Sequence, residues 1–340
     1  MADRVLLTGI SGFLGGHVAL ELLRAGYQVR GSVRDLGKAD KVRATLARAG
    51  ADVSRLDFVA LDLMSDAGWD DAMVDVRYLQ HTASPFVTRE PKDRNDLIRP
   101  AVEGTRRAIS AALRAGVERI VVTSSMAAVM YGHDKSRSAP FTAADWTSLE
   151  GRGVSGYVES KTRAERAAWE LVDAAGRHAD LATINPGAIF GPLLDEDPGT
   201  SVGLLKRMFD GSLPAAARVA FIVVDVRDVA AAHVAAMTSE AARGRRFPMG
   251  NGTYTLMELA GILRQAMPER SGKGPRFEVP DWIVRLVANV DADIRGNLGE
   301  LGVVKRASAD DVKRLLGRDL ISAEDATIAS ARSLVAQGLA

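Results

Sequence analysis

An α/β fold built on a doubly wound parallel sheet, followed by a smaller, mostly helical C-terminal substrate domain, is predicted by three observations. Short apolar or β-branched runs alternate with helix-period segments, a glycine-rich turn stands directly between the first strand and the first helix, and the alternation stops after Pro186. Strands alternating with helices read as βαβ units, whose crossovers place helices on both faces of a parallel sheet.

The elements follow in order. Arg4-Val5-Leu6-Leu7-Thr8 is a short buried strand, and residues 17–25 carry apolar side chains at helical spacing, closed by Gly26. A strand over 28–33, a polar and basic helix over 39–49 and a strand over 57–61 come next, then a weaker strand over 78–81. A long helix over 96–115 ends at Gly116, and the β-branched run at 118–123 is the fifth strand. Residues 157–175, rich in Ala, Glu and Arg, form a helix, and 181–185 a sixth strand. Gly191-Pro192 and Asp197-Pro198-Gly199 then interrupt a loop-rich stretch. A strand and helix within 219–237 are expected to return to the first sheet. The expected organisation is a dinucleotide-binding domain at 1–186 and a substrate-binding domain at 187–340, interleaved with it.

Composition limits the chemistry. The 340 residues include no Cys, which excludes disulfides, thiolate zinc sites, iron–sulfur clusters and cysteine nucleophiles. A net charge of +1 and 5% aromatic residues leave neither the cationic field nor the stacking surfaces of a nucleic-acid binder. No apolar run reaches the length of a membrane span, and the first strand starts too early to leave room for a signal peptide, so a cytoplasmic protein is expected. Five His at 17, 81, 133, 178 and 233 form no pair at helical ligand spacing, so no metal site is expected. His81, which ends a strand, is given a packing or hydrogen-bonding role. Asp225 and Asp228 are read as capping and packing residues, and the run Asp195-Glu196-Asp197 as a solvated loop.

The turn after the first strand reads Gly9-Ile10-Ser11-Gly12-Phe13-Leu14-Gly15-Gly16. Glycines at this spacing allow a tight turn and a close approach of pyrophosphate to main-chain N–H groups at a helix N-terminus. Thr8, Gly9, Ser11, Gly12, Phe13, Leu14 and Gly15 are therefore candidate cofactor contacts in a Rossmann arrangement. At the tip of the second strand stand Arg34 and Asp35, followed by Lys38 and Lys41. Arg34 with Lys41 suits the 2′-phosphate of NADP; Asp35 keeps NAD as the lesser alternative.

Tyr157-Val158-Glu159-Ser160-Lys161 puts a phenol and an ammonium at i and i+4 on one helix face, where the cation would favour phenolate. A Lys four residues after a Tyr arises too readily by chance to stand alone. Thr123-Ser124-Ser125 supports it, because these hydroxyls end the fifth strand, where open parallel sheets bind their ligands. Ser125 there can hold a carbonyl oxygen together with Tyr157.

Taken in order, these motifs resemble the extended short-chain dehydrogenase/reductase superfamily, and within it the dihydroflavonol reductase-like group. The resemblance runs from Val5 to about Gly250 and is also carried by Leu61-Asp62-Leu63, His81-Thr82-Ala83-Ser84-Pro85, Asp145-Trp146, Asn185-Pro186, Phe190-Gly191-Pro192 and Val224-Asp225-Val226-Arg227-Asp228. It implies NADP(H)-dependent reduction of an aldehyde or ketone, or the reverse. Ser125 would orient the carbonyl, Tyr157 would be the general acid, and Lys161 would hold the nicotinamide ribose. It further implies adenine contacts from Asp62 and Leu63, a cofactor wall of Thr82, Ala83 and Ser84 with Thr123 nearby, and contacts from Pro186 and Gly187 on the nicotinamide side. The group's plant members hold a polyphenol with an Asn shortly after the catalytic Ser, and 126–131 contains none. A more apolar pocket is therefore expected, lined by Phe86, Met126, Tyr131, Phe190 and residues 204–209 beside Ser125 and Tyr157.

Two rival functions share the fold. A nucleotide-sugar epimerase or dehydratase would need cations for a diphosphate, yet 193–210 is acidic at 195–197 and offers only Lys206 and Arg207. A non-catalytic NADP-sensing regulator would have no need of Ser125, Tyr157 and Lys161 together. The expected partner is a small carbonyl or alcohol substrate, and the chain is expected to be either a monomer or a homodimer, the latter requiring a second copy to meet the 96–115 and 157–175 helices.

Overall fold

The computed structural model describes residues 3–84, 93–151, 153–289, 295 and 298–340. Its main sheet is parallel throughout, with seven strands in the order β3-β2-β1-β4-β5-β6-β9. These are β1 (Arg4–Thr8), β2 (Gln28–Val33), β3 (Leu56–Ala60), β4 (Tyr78–His81), β5 (Arg119–Thr123), β6 (Leu181–Pro186) and β9 (Arg245–Met249). On one face α1 (Phe13–Arg24) packs on α7 (Val226–Thr238), and Val18, Leu22 and Val229 share a core with Val5, Leu7 and Val29. On the other, α4 (Asn95–Arg114) packs on α5 (Gly156–Ala174), and Ala108, Ala112, Ala168 and Val172 share a core with Leu6, Leu79 and Ile120. Strands covered on both faces carry no polar alternation to announce them. This explains why the 78–81 run, weak as a sequence signal, is a central strand buried along its whole length.

The chain winds from β1 to β2 and β3 on one side, then crosses to β4 on the other. The direction of winding reverses between the paired strands β1 and β4, the switch point at which doubly wound sheets bind ligands. Helix α1 starts at Phe13, a turn before the apolar spacing that predicted it, so the glycine turn feeds directly into helix.

Two expectations are corrected. The strand expected at 219–224 does not return to the main sheet: β8 (Ala220–Asp225) pairs parallel to β7 (Ala188–Phe190) and antiparallel to β10 (Thr253–Thr255) in a second sheet. Packing explains this, because Phe190 and Val223 bury into a separate core with α6 (Gly199–Asp210), α8 (Leu256–Ala266) and the C-terminal helix Ala323–Ala336. Only the helical half, α7, returns to the main sheet. The seventh strand is β9, which sequence reasoning passed over; its Pro248 is tolerated because the strand lies at the sheet edge.

Among the described residues, no helix is long and apolar enough to cross a membrane, and no group of three His, Cys, Asp or Glu is placed to hold a metal.

Candidate active site

The glycine turn meets two steric demands of the fold and leaves one glycine outside them. Gly9 has φ +74°, and a Cβ there would lie 2.8 Å from the backbone of Ala83; a Cβ on Gly15 would lie 2.0 Å from the Gly9 carbonyl oxygen. Both glycines are required by the fold itself. Gly12 is not: its φ of −86° suits any residue, and a Cβ would meet nothing closer than 3.5 Å. Gly12 is also the N-cap of α1 and supplies no side-chain cap, which leaves first-turn N–H groups to an outside acceptor. Ser11 and Gly12 are exposed beside a cleft that Phe13, Thr45 and Asp195 also line. These features fit a dinucleotide pyrophosphate.

The β1 and β4 ends are joined by hydrogen bonds. Thr8 Oγ1 lies 2.8 Å from His81 Nδ1, Thr82 Oγ1 donates to the Thr8 carbonyl at 2.6 Å, and Ala83 N donates to Thr8 Oγ1 at 3.2 Å. Burial, with Lys161 nearby, holds His81 neutral, its pKa pushed down to about 4. Thr82, Ala83 and Ser84 are thereby carried to the glycine turn. Ser84 Oγ accepts from Lys161 Nζ at 2.9 Å, which links this wall to α5.

Helix α5 begins with Ser155 as its cap, Oγ accepting from Val158 N at 3.3 Å, and this sets Tyr157 in the first turn. Lys161 follows one turn later, with Nζ 5.8 Å from the Tyr157 ring centroid. Ser125 ends the extension of β5, its Oγ accepting from Ala127 N at 3.1 Å, and its hydroxyl is hydrogen-bonded to the Tyr157 phenol. The structure thus brings Ser125, Tyr157 and Lys161 together at the carboxyl ends of the strands. Their protonation differs from the sequence expectation. Burial raises the Tyr157 pKa, the Ser125 hydrogen bond only partly offsets it, and burial lowers Lys161 to about 8. A desolvated site disfavours both charges, and the ammonium is engaged with Ser84.

The remaining candidates are placed as follows. Arg34, Lys38 and Lys41 are exposed at the tip of β2, and their side chains pair with no described residue. Asp35 turns away, Oδ1 accepting from Gly37 N at 2.9 Å as a cap. Asp62 is exposed beyond β3 with Oδ1 accepting from Met64 N, and Leu63 is seated against Gly104, where a Cβ would come within 2.9 Å. Thr123 Oγ1 lies 2.9 Å from His233 Nε2. Pro186 ends β6, and Gly187 passes so close to β8 that a Cβ would sit 2.2 Å from the Ile222 carbonyl oxygen. Tyr131 stands near Tyr157, with Lys305 Nζ 3.8 Å from its ring centroid.

Two pocket expectations need correction. Phe190 is wholly buried in the core of the second sheet, and Met126, 1% exposed, packs with Val129, Phe141 and Ile222. Both large apolar side chains are absorbed by cores that only the tertiary fold creates. Phe86 lies outside the described residues. Sequence reasoning also missed Glu165 and Arg246, an ion pair with no solvent exposure at the carboxylate; a Glu eight residues after Tyr157, on the same helical flank, was the available signal.

Comparison with known proteins identifies the family. The family described as NAD dependent epimerase/dehydratase matches residues 5–250. Cinnamoyl-CoA reductase 1 of Oryza sativa is 35% identical over 78% of this chain and 76% of its own length. The ketoreductase azaE of Aspergillus niger is 32% identical over 83% of this chain and 87% of its own. The crystal structure of the yeast methylglyoxal/isovaleraldehyde reductase complexed with NADPH superposes with a TM-score of 0.79 at 25% identity, covering 99% of this chain and 100% of that one. The chain belongs to the NAD dependent epimerase/dehydratase family, the extended short-chain dehydrogenases/reductases, and stands among its dihydroflavonol reductase-like members.

Proposed function

We propose that this protein is an NADPH-dependent reductase of small aldehydes or ketones, working in the reverse direction as an alcohol dehydrogenase. The observation that carries the reading is the Ser125–Tyr157 hydrogen bond, with Lys161 on the same helix, beside an uncapped glycine turn. When bound, NADPH supplies a hydride to the carbonyl carbon. The Ser125 hydroxyl donates to the carbonyl oxygen and holds it at the Tyr157 phenol. Tyr157, kept protonated by burial, delivers its proton to that oxygen, which completes the alcohol. Lys161 orients the cofactor ribose from the Ser84 side, and Gly12 with the α1 N-terminus receives the pyrophosphate. Arg34 and Lys41, without partners among the described residues, receive the 2′-phosphate. A cytoplasmic location and a monomer, or a homodimer through α4 and α5, complete this reading.

The epimerase chemistry in the family's name draws no support from 193–210, where Lys206 lies 3.8 Å from Asp210 and 195–197 is acidic. A screen of aldehydes and ketones with NADPH, run beside UDP-sugars, separates the two activities. Tyr157→Phe should lower kcat by about 10²–10⁴-fold while NADPH Kd stays at the wild-type value. Full activity in that variant would overturn the mechanism.

A further inference from the structure

Directly behind the Ser125–Tyr157 pair lies a charged group to which the proposed reaction gives no part. Glu165 sits two turns beyond Tyr157 on α5, its side chain wholly removed from solvent. Arg246 of β9 meets it with Nε 2.6 Å from Oε1. Thr183 Oγ1 donates to Oε1 at 3.0 Å, while Ser124 Oγ and Asn185 Nδ2 donate to Oε2 at 2.5 and 2.7 Å. The other face of the guanidinium is fixed too: Nη1 donates to the carbonyls of Ala143 and Asp145 at 2.9 and 2.5 Å, and its carbon stands 3.6 Å from the Trp146 ring centroid.

A buried ion pair is a poor way to gain stability, since well-packed apolar residues of the same volume often do as well or better. What the pair has that an apolar core lacks is direction. The donors converge from several elements: Ser124 just beyond β5, Thr183 and Asn185 on β6, Arg246 on β9 and Trp169 Nε1 on α5 at 3.4 Å, with the carboxylate itself on α5. Of these elements, β6 and α5 also carry Pro186 and Tyr157. Two of the donors lead to Ser125. Ser124 is its chain neighbour, and Asn185 Nδ2 also donates to the Ser125 carbonyl oxygen at 3.4 Å. Orientation is worth much at a reacting group, where a displacement of about 1 Å can cost about 10²-fold in rate.

We propose that the Glu165–Arg246 pair is a positioning group for carbonyl reduction, which fixes Ser125 against the Tyr157 phenol through Ser124 and Asn185. This rests on the Ser125/Tyr157/Lys161 reading. The test uses the full chain with NADPH and the carbonyl compound that the wild type turns over best in the screen above. Glu165→Gln keeps the volume but removes the charge and turns an N–H₂ group towards the donors. It should lower kcat about 10-fold or more with NADPH Kd within about 2-fold of wild type, and Glu165→Asp should restore part of the loss. A Glu165→Gln protein that melts at a lower temperature yet keeps wild-type kcat per folded site would overturn the proposal and leave a purely structural pair. If Glu165→Gln fails to fold, Ser124→Ala decides, since it removes one arm: reduced kcat at unchanged NADPH Kd supports the proposal and unchanged kcat overturns it. Tyr157→Phe, assayed in parallel, separates the two readings. Activity retained there defeats the reductase mechanism itself, whereas its loss alongside fully active Glu165→Gln and Ser124→Ala defeats only the positioning role.

Discussion

Tyr157 and Lys161 are shifted in opposite directions by one cause, burial, which disfavours phenolate and ammonium alike. At neutral pH both therefore carry their protons, the state that reduction requires. Lys161, lowered to about 8, is charged below that pH and loses its charge as pH rises through it. NADPH affinity should accordingly hold steady from pH ~7 to ~7.5 and weaken towards pH ~9, which a fluorescence titration of Kd against pH checks; Lys161→Met should bind more weakly at pH ~7 and show no such dependence. Arg34 belongs to the same scale. Its guanidinium has no partner among the described residues, whereas Asp35 is engaged as a cap. Arg34→Asp should cut kcat/KM with NADPH by about 30-fold or more, as loss of a charge-assisted hydrogen bond implies, and leave NADH use nearly unchanged, as steady-state kinetics with each cofactor would read. The grouping of Ser125, Tyr157 and Lys161 was legible because its signals are local: a phenol and an ammonium one turn apart, and hydroxyls ending a β-branched strand. Pocket residues were not, because whether Phe190 or Met126 faces a ligand or a core depends on strands far away in sequence.

At the scale of elements, the turn from β1 into α1 separates what the fold needs from what the ligand needs. A methyl at Gly15 collides with the Gly9 carbonyl, so Gly15→Ala should disturb the turn and lower the melting temperature together with cofactor affinity. A methyl at Gly12 would meet no atom of the described residues closer than the Gly9 carbonyl oxygen at 3.5 Å, ordinary contact. Gly12→Ala should keep the wild-type melting temperature, gaining up to about 1 kcal/mol from reduced unfolded-state entropy, and still lose NADPH affinity at least about 10-fold by blocking the approach of the pyrophosphate. Thermal melts with and without NADPH measure both effects on one sample; equal affinity in Gly12→Ala would remove the pyrophosphate from this turn. Glycine spacing was readable, but which glycine served which purpose was not, since that depends on Ala83 approaching from β4. The same limit hid β9. Arg245 and Arg246 interrupt its apolar pattern, and only in the folded chain does Arg246 find the carboxylate 81 residues earlier that makes burial tolerable.

Across the whole molecule, two buried neutral histidines cross-link elements of the sheet, one from a covering helix and one from strand to strand. His233 on α7 lies between two central strands: Nδ1 is 2.8 Å from Gln80 Oε1 on β4, and Nε2 is 2.9 Å from Thr123 Oγ1 on β5. The amide oxygen can only accept, so Nδ1 carries the proton and Nε2 accepts from the Thr123 hydroxyl. Protonating Nε2 would turn that acceptor into a second donor inside a core that excludes water, and burial accordingly pushes His233 down to about 3. His81, at about 4, is held neutral in the same way beside Thr8, at the paired ends of β1 and β4. Both values lie below the ordinary 6.5 of the unfolded chain, so the native state binds fewer protons than the unfolded state between pH ~6.5 and ~4. The histidine contribution should therefore be level between pH ~6.5 and ~7.5 and fall as pH drops towards ~4, by up to about 1.4 kcal/mol per pH unit for each histidine. Asp228, raised by burial, opposes this trend in the acidic part of the range and makes the measured slope shallower. Urea midpoints collected from pH ~7.5 to ~4.5 would test the argument, with His233→Gln as control. That variant keeps polar groups near Gln80 and Thr123 but cannot titrate, so it should start less stable at pH ~7.5 and lose stability less steeply on acidification; an identical slope in both proteins would place the acid sensitivity elsewhere.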